Sequence, residues 1–322
     1  MTLRTAICDL LDIRYPIMLA GMGGVAYAEL AAAVSNAGGF GTLGMAGRSL
    51  ADIKVELRKM ADLTDKPFGV DLLAAVPQSL EETADAIIES GAKAFISGLG
   101  VPPPHLVKKF HDGGLKVMNV CGTVRHALLA QAGGLDAVIA QGTEAGGHTG
   151  RIAAMALVPQ IVDALRIPVV AAGAIVDGRG LAAALALGAQ GAWMGTRFIA
   201  AAEAHAGKLY QDVILAANDE DTTITRSYSG KPMRVHKNAW VADWEARPQD
   251  IQPFPVQAMK STQAGVMGGI AGQTENLDRD RSCFAMGQGS GGIHSVKPAA
   301  DIVMDVMREA EDVIGRMATL RK

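Results

Sequence analysis

The chain is poor in cysteine: Cys8, Cys121 and Cys283 are the only three in 322 residues, widely separated, with no CxxC pair and no Cys/His cluster at metal-ligand spacing. That excludes a disulfide framework and a structural zinc centre, and no metal site is expected. Aromatic residues make up only 4%, too few for a surface that stacks on nucleobases. No run approaches the ~20 uninterrupted apolar residues that span a bilayer. The first 15 residues carry Asp9 and Asp12 and lack the basic start and apolar run of a secretory signal. Neither sign of charge dominates: the formal net charge is −3, whereas a duplex binder needs a basic face to displace counterions from phosphates. Neither nucleic acid nor membrane is expected as a partner, and a reducing cytoplasm is the expected location.

What the chain does have is apolar residues, 49%, and 38 glycines with no three-residue period, a composition for a packed globular core. Over the first 200 residues short apolar runs alternate with amphipathic stretches, the pattern of repeated βα units. The runs fall at residues 16–20, 40–43, 68–73, 94–97, 117–120, 137–140, 169–172 and 192–195. Helical spacing follows at 27–37, 49–60 and 80–90, and again at 299–320. Eight runs, each ending in a glycine- or proline-bearing turn, predict an α/β fold of (β/α)8 TIM-barrel type, with a doubly wound open sheet as the alternative. The alternation stops beyond residue 198. Three segments follow: a barrel over 1–199, a smaller and mainly helical cap over 200–290 covering the C-terminal barrel face, and a segment over 291–322 whose helix returns to the barrel.

Function in such a barrel sits in the loops after the strands. Glycine-rich stretches occupy four of them: Gly21-Met22-Gly23-Gly24, residues 141–150, residues 173–178, and Gly195-Thr196. Glycine lets successive N–H groups approach an anion, and the last two loops are where barrels commonly hold a phosphate. No GxxxxGK[ST] and no GxGxxG opening a βαβ unit is present, so the ligand expected is a phosphate-bearing cofactor at one barrel end. His148, set among Gly146, Gly147 and Gly150 directly after a strand, is the candidate catalytic residue; an unperturbed imidazole, pKa near ~6.5, suits proton transfer at neutral pH. Glu144 is a candidate for orienting a neighbour or capping a turn. His126, within a helical stretch, reads as a solvated or capping histidine, and His294 stands beside two glycines with its role open.

Several ordered segments together resemble the nitronate monooxygenase family, formerly the 2-nitropropane dioxygenases. They are Pro16-Ile17-Met18 with Gly21-Met22-Gly23, residues 31–41, residues 141–148, and residues 184–189 leading to Met194-Gly195-Thr196-Arg197-Phe198; the match runs from about residue 14 to 235. The resemblance implies an FMN-binding TIM barrel with a second domain over the site. It implies that Ala20, Gly21, Met22 and Gly23 lie along the flavin, with Asp71 and Asn119 beneath it and Gln141 facing the ring or ribityl chain. Gly146 and Gly147, then Ala172, Gly173 and Ala174, and then Gly195 and Thr196 would complete the site, the phosphate resting on Gly173, Gly195 and Thr196. Gly287, Gln288 and Gly289 resemble a late segment that returns to the flavin, and His148 matches the histidine placed near flavin N5.

The family is chemically mixed, and the stretch over 225–234 is similar to members that act on CoA thioesters. Asp71, Asn119 and Ala174 stand where nitronate enzymes often have Asn, Lys and Gly. Two activities are therefore implied: oxidation of a nitronate or similar carbanion with O2 as acceptor, or reduction of an enoyl or enone acyl thioester (CoA or ACP) or a quinone with NAD(P)H as donor. In the second, Lys231 and Arg234 would meet ligand phosphates, with Glu144 and His294 as further substrate candidates. A non-flavin phosphate-binding barrel is a third reading, although no strand run carries the lysine of a Schiff-base aldolase. A homodimer is compatible with all three.

Overall fold

The computed structural model describes residues 3–74 and 80–320; the outer ends of the expected 1–199 and 291–322 segments lie outside them. The strands in chain order are β1 (Ile17–Leu19), β2 (Gly41–Gly44), β3 (Phe68–Leu73), β4 (Ala94–Gly98), β5 (Lys116–Cys121), β6 (Ala137–Gln141), β7 (Gly147–His148), β8 (Val169–Ala172), β9 (Ala192–Met194), β10 (Thr222–Thr225) and β11 (Met233–His236). Eight of them form a single parallel sheet in the order β1-β9-β8-β6-β5-β4-β3-β2. A parallel bridge between Met18 and Phe40, with Phe40 N–H donating to Ile17 O at 2.8 Å, joins the two ends. The sheet is therefore a closed (β/α)8 barrel, and the open doubly wound alternative is excluded.

Period-two alternation decides which side chains enter the barrel. Met18, Ala94, Ile96, Met118, Ala137, Ile139, Val170 and Trp193 pack with Phe40 inside it, while Ile17, Phe95, Val117, Val138 and Val169 point out against the helices. Ile7, Cys8 and Leu11 of the first helix, Ala6–Leu11, close the N-terminal end. Carried to the C-terminal ends of the strands, the same alternation turns Ala20, Asp71, Gln141, Ala172 and Gly195 inward.

The last helix, Ala299–Ala318, buries Ile302, Val303, Val306 and Met307 in the same layer as the other barrel helices. It lies so close to the helix Gly178–Ala186 that a Cβ on Gly178 would come 2.3 Å from Ala310 N. It is the helix belonging to β9, so the cap is an insertion between the eighth barrel strand and its helix. The cap has its own apolar clusters, around Tyr210 and Phe284 and around Tyr228 and Val235. It also holds a three-stranded antiparallel sheet, β10-β11-β7, which the mainly helical expectation did not include. One of its strands, β7, comes from the barrel loop after β6. No helix among the described residues is long and apolar enough to cross a membrane.

Candidate active site

The C-terminal ends of the barrel strands and the overlying cap enclose a cavity of about 1030 Å³. The inward residues Asp71 and Gln141 line it together with Ala20, Ala172 and Gly195. Asp71 is buried, its Oδ1 has no hydrogen-bond partner, and burial raises its carboxyl well above the usual carboxylate range. Gly21 is required beside it, because a Cβ there would lie 2.2 Å from Asp71 Cβ. A buried polar atom facing a cavity without a partner is a place for a ligand's polar group.

In the ligand-free protein this raised pKa means that the unfolded carboxyl ionises first. Stability is full at pH values below the unfolded pKa and is lost as pH rises toward the folded one. Asp71→Asn, neutral and of the same size, removes that loss. Thermal midpoints of the ligand-free forms should coincide near pH 4 and separate as pH rises, with the Asp71→Asn variant the more stable; parallel curves would show that Asp71 is ionised in the fold.

A second set of groups surrounds the loops after β8 and β9. Gly173 has φ +108° and Ala174 has φ +56°, a left-handed pair. Alanine at the second position keeps the conformation that glycine would adopt freely, at a cost of roughly 1–2 kcal/mol. The N–H groups of Gly173, Ala174 and Gly195, all at the cavity wall, find no acceptor among the described residues. Thr196 Oγ accepts from Gly287 N–H at 3.0 Å, which leaves the hydroxyl proton free to donate. The late glycines complete the wall: a Cβ on Gly289 would lie 3.1 Å from Ala174 Cα, and one on Gly287 3.4 Å from Thr196 Oγ. Unpaired donors on adjoining glycine-rich loops, with little room for side chains, make this wall the candidate anion cradle.

His148 lies opposite on β7, whose register with β11 pairs it with Met233. Its carbonyl accepts from Gln141 Nε2 at 2.8 Å, and its ring Nε2 lies 2.9 Å from Ser229 Oγ. Ser229 is tied to its own turn through Lys231 N–H and O, each at 3.2 Å. Burial first, and the Lys231 charge second, lower the imidazole pKa to about 4. The expectation of a pKa near neutrality is corrected: His148 is a neutral imidazole at pH 7, a proton acceptor or N–H donor and not an imidazolium acid. Lys231 lines the cavity with its ammonium 4.7 Å from the centre of the Phe254 ring and no carboxylate partner among the described residues.

Met22, Gly23, Asn119, Gly146 and Gly147 also line the cavity. Asn119 does so with its amide committed, donating to Ser97 O at 2.8 Å and Gly100 O at 2.6 Å, so it fixes the turn after β4. Four predicted residues are not brought to the cavity. Gln288 is exposed, and only its N–H is engaged, with Glu144 O at 2.9 Å. Glu144 accepts the Ala154 N–H through both oxygens at 3.0 Å, capping the helix Ala154–Ala164. Arg234 is buried, donating to Thr143 O at 2.9 Å and Thr222 Oγ at 3.0 Å, so its guanidinium holds the cap sheet to the barrel loop and cannot meet a phosphate. His294 is exposed. Conversely His126 reaches the cavity rim, while Ser229 and Phe254 had no assigned role. The signal for Ser229 was its place two residues before Lys231; Phe254, far along the cap, had none.

A TIM barrel whose mouth holds an anion cradle, a glycine-lined wall, an unpaired buried carboxyl and a neutral histidine fits a phosphate-bearing flavin, and this combination defines a flavin-dependent oxidoreductase. The profile of the nitronate monooxygenase family matches residues 4–309, and the chain belongs to that family; it is an FMN-dependent oxidoreductase. It is 41% identical over 234 residues to (3aS,4S,5R,7aS)-5-hydroxy-7a-methyl-1-oxo-octahydro-1H-indene-4-carboxyl-CoA dehydrogenase of Rhodococcus jostii, covering 73% of this chain and 66% of that one. Among solved structures it is similar to FabK from Thermotoga maritima, with a TM-score of 0.91 and 33% identity, covering 99% of this chain and 100% of that one. It is also similar to nitroalkane oxidase from Streptomyces ansochromogenes, with a TM-score of 0.85 and 27% identity, covering 97% and 100%.

Proposed function

We propose that the protein oxidises a carbanionic substrate, a nitronate or a similar carbon acid, with O2 as acceptor. The observation that carries this reading is the neutral His148, held at the cavity wall by Ser229 beside the Lys231 cation. Gly173, Ala174, Gly195 and Thr196 would hold the FMN phosphate, with Gly21 and Asp71 beside the ring. Bound FMN supplies the acceptor for the electron pair and its onward transfer to oxygen. The chain's own part is local. Lys231 makes the mouth positive and draws in an anion. His148 takes a proton from the carbon when the substrate arrives un-ionised, and Ser229 fixes the ring while it does so.

A second reading, reduction of an enoyl or enone acyl thioester with NAD(P)H, is favoured by two observations. The cavity, about 1030 Å³, lies at the top of the ~300–1000 Å³ range usual for one ligand, and the Rhodococcus relative is named for a CoA thioester. Here the neutral imidazole would polarise the substrate carbonyl through an N–H. Anaerobic mixing of the FMN-loaded enzyme with propyl-2-nitronate or with NADPH separates the two. Bleaching by the nitronate alone is the expected result; rapid bleaching by NADPH would replace the first reading with the second.

A further inference from the structure

A second, smaller pocket of about 210 Å³ adjoins the main cavity: Gly150 and Pro232 line both. The loops that carry these two residues are tied by a hydrogen bond from Thr149 N–H to Pro232 O at 3.3 Å. Arg151 and Arg226 stand at this second pocket, both exposed, and neither makes an ion pair or side-chain hydrogen bond with any described residue. The lining carboxylate, Glu245, has Oε1 taken by the Thr225 hydroxyl at 2.6 Å, so the pocket lining carries two arginines and one carboxylate. The rest of the wall is apolar, with Ile224 and Ile251.

The loop that carries Arg226 also carries Ser229 and Lys231, and it is closed on itself by Gly230 N–H donating to Arg226 O at 2.8 Å. One short loop thus presents a cation to each chamber. Arginine forks fit phosphate oxygens in pairs, and an apolar wall beside them suits the face of a nucleobase.

We propose that this second pocket seats the phosphorylated nucleoside end of a ligand whose reacting end enters the main cavity. The ligand class is an adenosine bearing a ribose phosphate, the chemistry shared by a CoA thioester and NADPH. The inference rests on the second functional reading for its reacting partner, but the site itself is defined by binding alone. At about 210 Å³ it is smaller than the ~300–1000 Å³ usual for a whole ligand, so it takes only one end of the molecule.

The test is calorimetric titration of the FMN-loaded enzyme with adenosine 3′,5′-bisphosphate, adenosine 2′,5′-bisphosphate and AMP. At least one bisphosphate should bind more tightly than AMP, with affinity falling as salt rises. Preference for the 3′,5′ isomer assigns the site to a CoA ligand, and preference for the 2′,5′ isomer to NADPH. Arg151→Gln and Arg226→Gln should each weaken bisphosphate binding about tenfold and leave nitronate bleaching of the flavin unchanged. Unaltered binding in the double variant, no bisphosphate binding at all, or displacement by inorganic phosphate at equal concentration would each overturn the proposal. Bisphosphate binding that needs both arginines, without any turnover of thioester or NADPH, would leave the site standing and sink the second functional reading. Equal kcat/KM for a CoA thioester and its pantetheine analogue would do the reverse.

Discussion

His148→Ala is expected to keep its FMN and lose turnover of a neutral carbon acid by ~10²–10⁴-fold, the range of general acid–base catalysis. The variant leaves the cradle of Gly173, Ala174, Gly195 and Thr196 intact, because the ring it removes is hydrogen-bonded to Ser229 and to none of these residues. Its main-chain bond to Gln141 survives, since it uses the carbonyl. A preformed carbanion should be far less affected, as the proton is already gone. The pH profile gives a second measure. With the imidazole pKa lowered to about 4, the acid limb of kcat/KM should fall near that value instead of near ~6.5. Lys231→Met should move the limb upward, because the ammonium is one cause of the lowering. Wild-type rates on both substrate types in His148→Ala would remove His148 from the chemistry.

The barrel was legible because its eight strands are short apolar runs bounded by glycine and its inward positions obey a strict period of two; 68–73 and 169–172 coincide with the observed strands. The cap sheet was not legible for a local reason. Gly147–His148 is two residues long and carries no alternation, and its pairing with Met233 and Arg234 spans more than 80 positions. Only Thr222–Thr225, β-branched throughout, offered a strand signal.

That missed pairing decided the fate of the two basic residues in the 231–234 segment. Lys231, just before β11, reaches the main cavity, whereas Arg234, within the pairing, is consumed by Thr143 and Thr222. Glycine spacing marked loops that line the cavity, but burial determines ionisation. No reading of the loop after β6 could show that the cap would cover His148 and keep it neutral, or that Asp71 would lack a partner.

Thr196→Val tests the cradle itself and should weaken FMN binding ten- to a hundredfold, the cost of removing a hydrogen bond to a charged group, about 1.5–3 kcal/mol. Valine keeps the shape of the side chain, so packing against the barrel does not change and the loss is of the hydroxyl alone. The structure adds a second consequence. Gly287 N–H donates to Thr196 Oγ, so the variant strands that donor as well and loosens the late glycine segment that walls the site. Thr196→Ser, which retains the oxygen, should recover most of the affinity. Flavin absorbance after extensive dialysis, with Kd from fluorescence titration of the stripped protein, reads the result. Full flavin content in Thr196→Val would mean that the phosphate is held elsewhere.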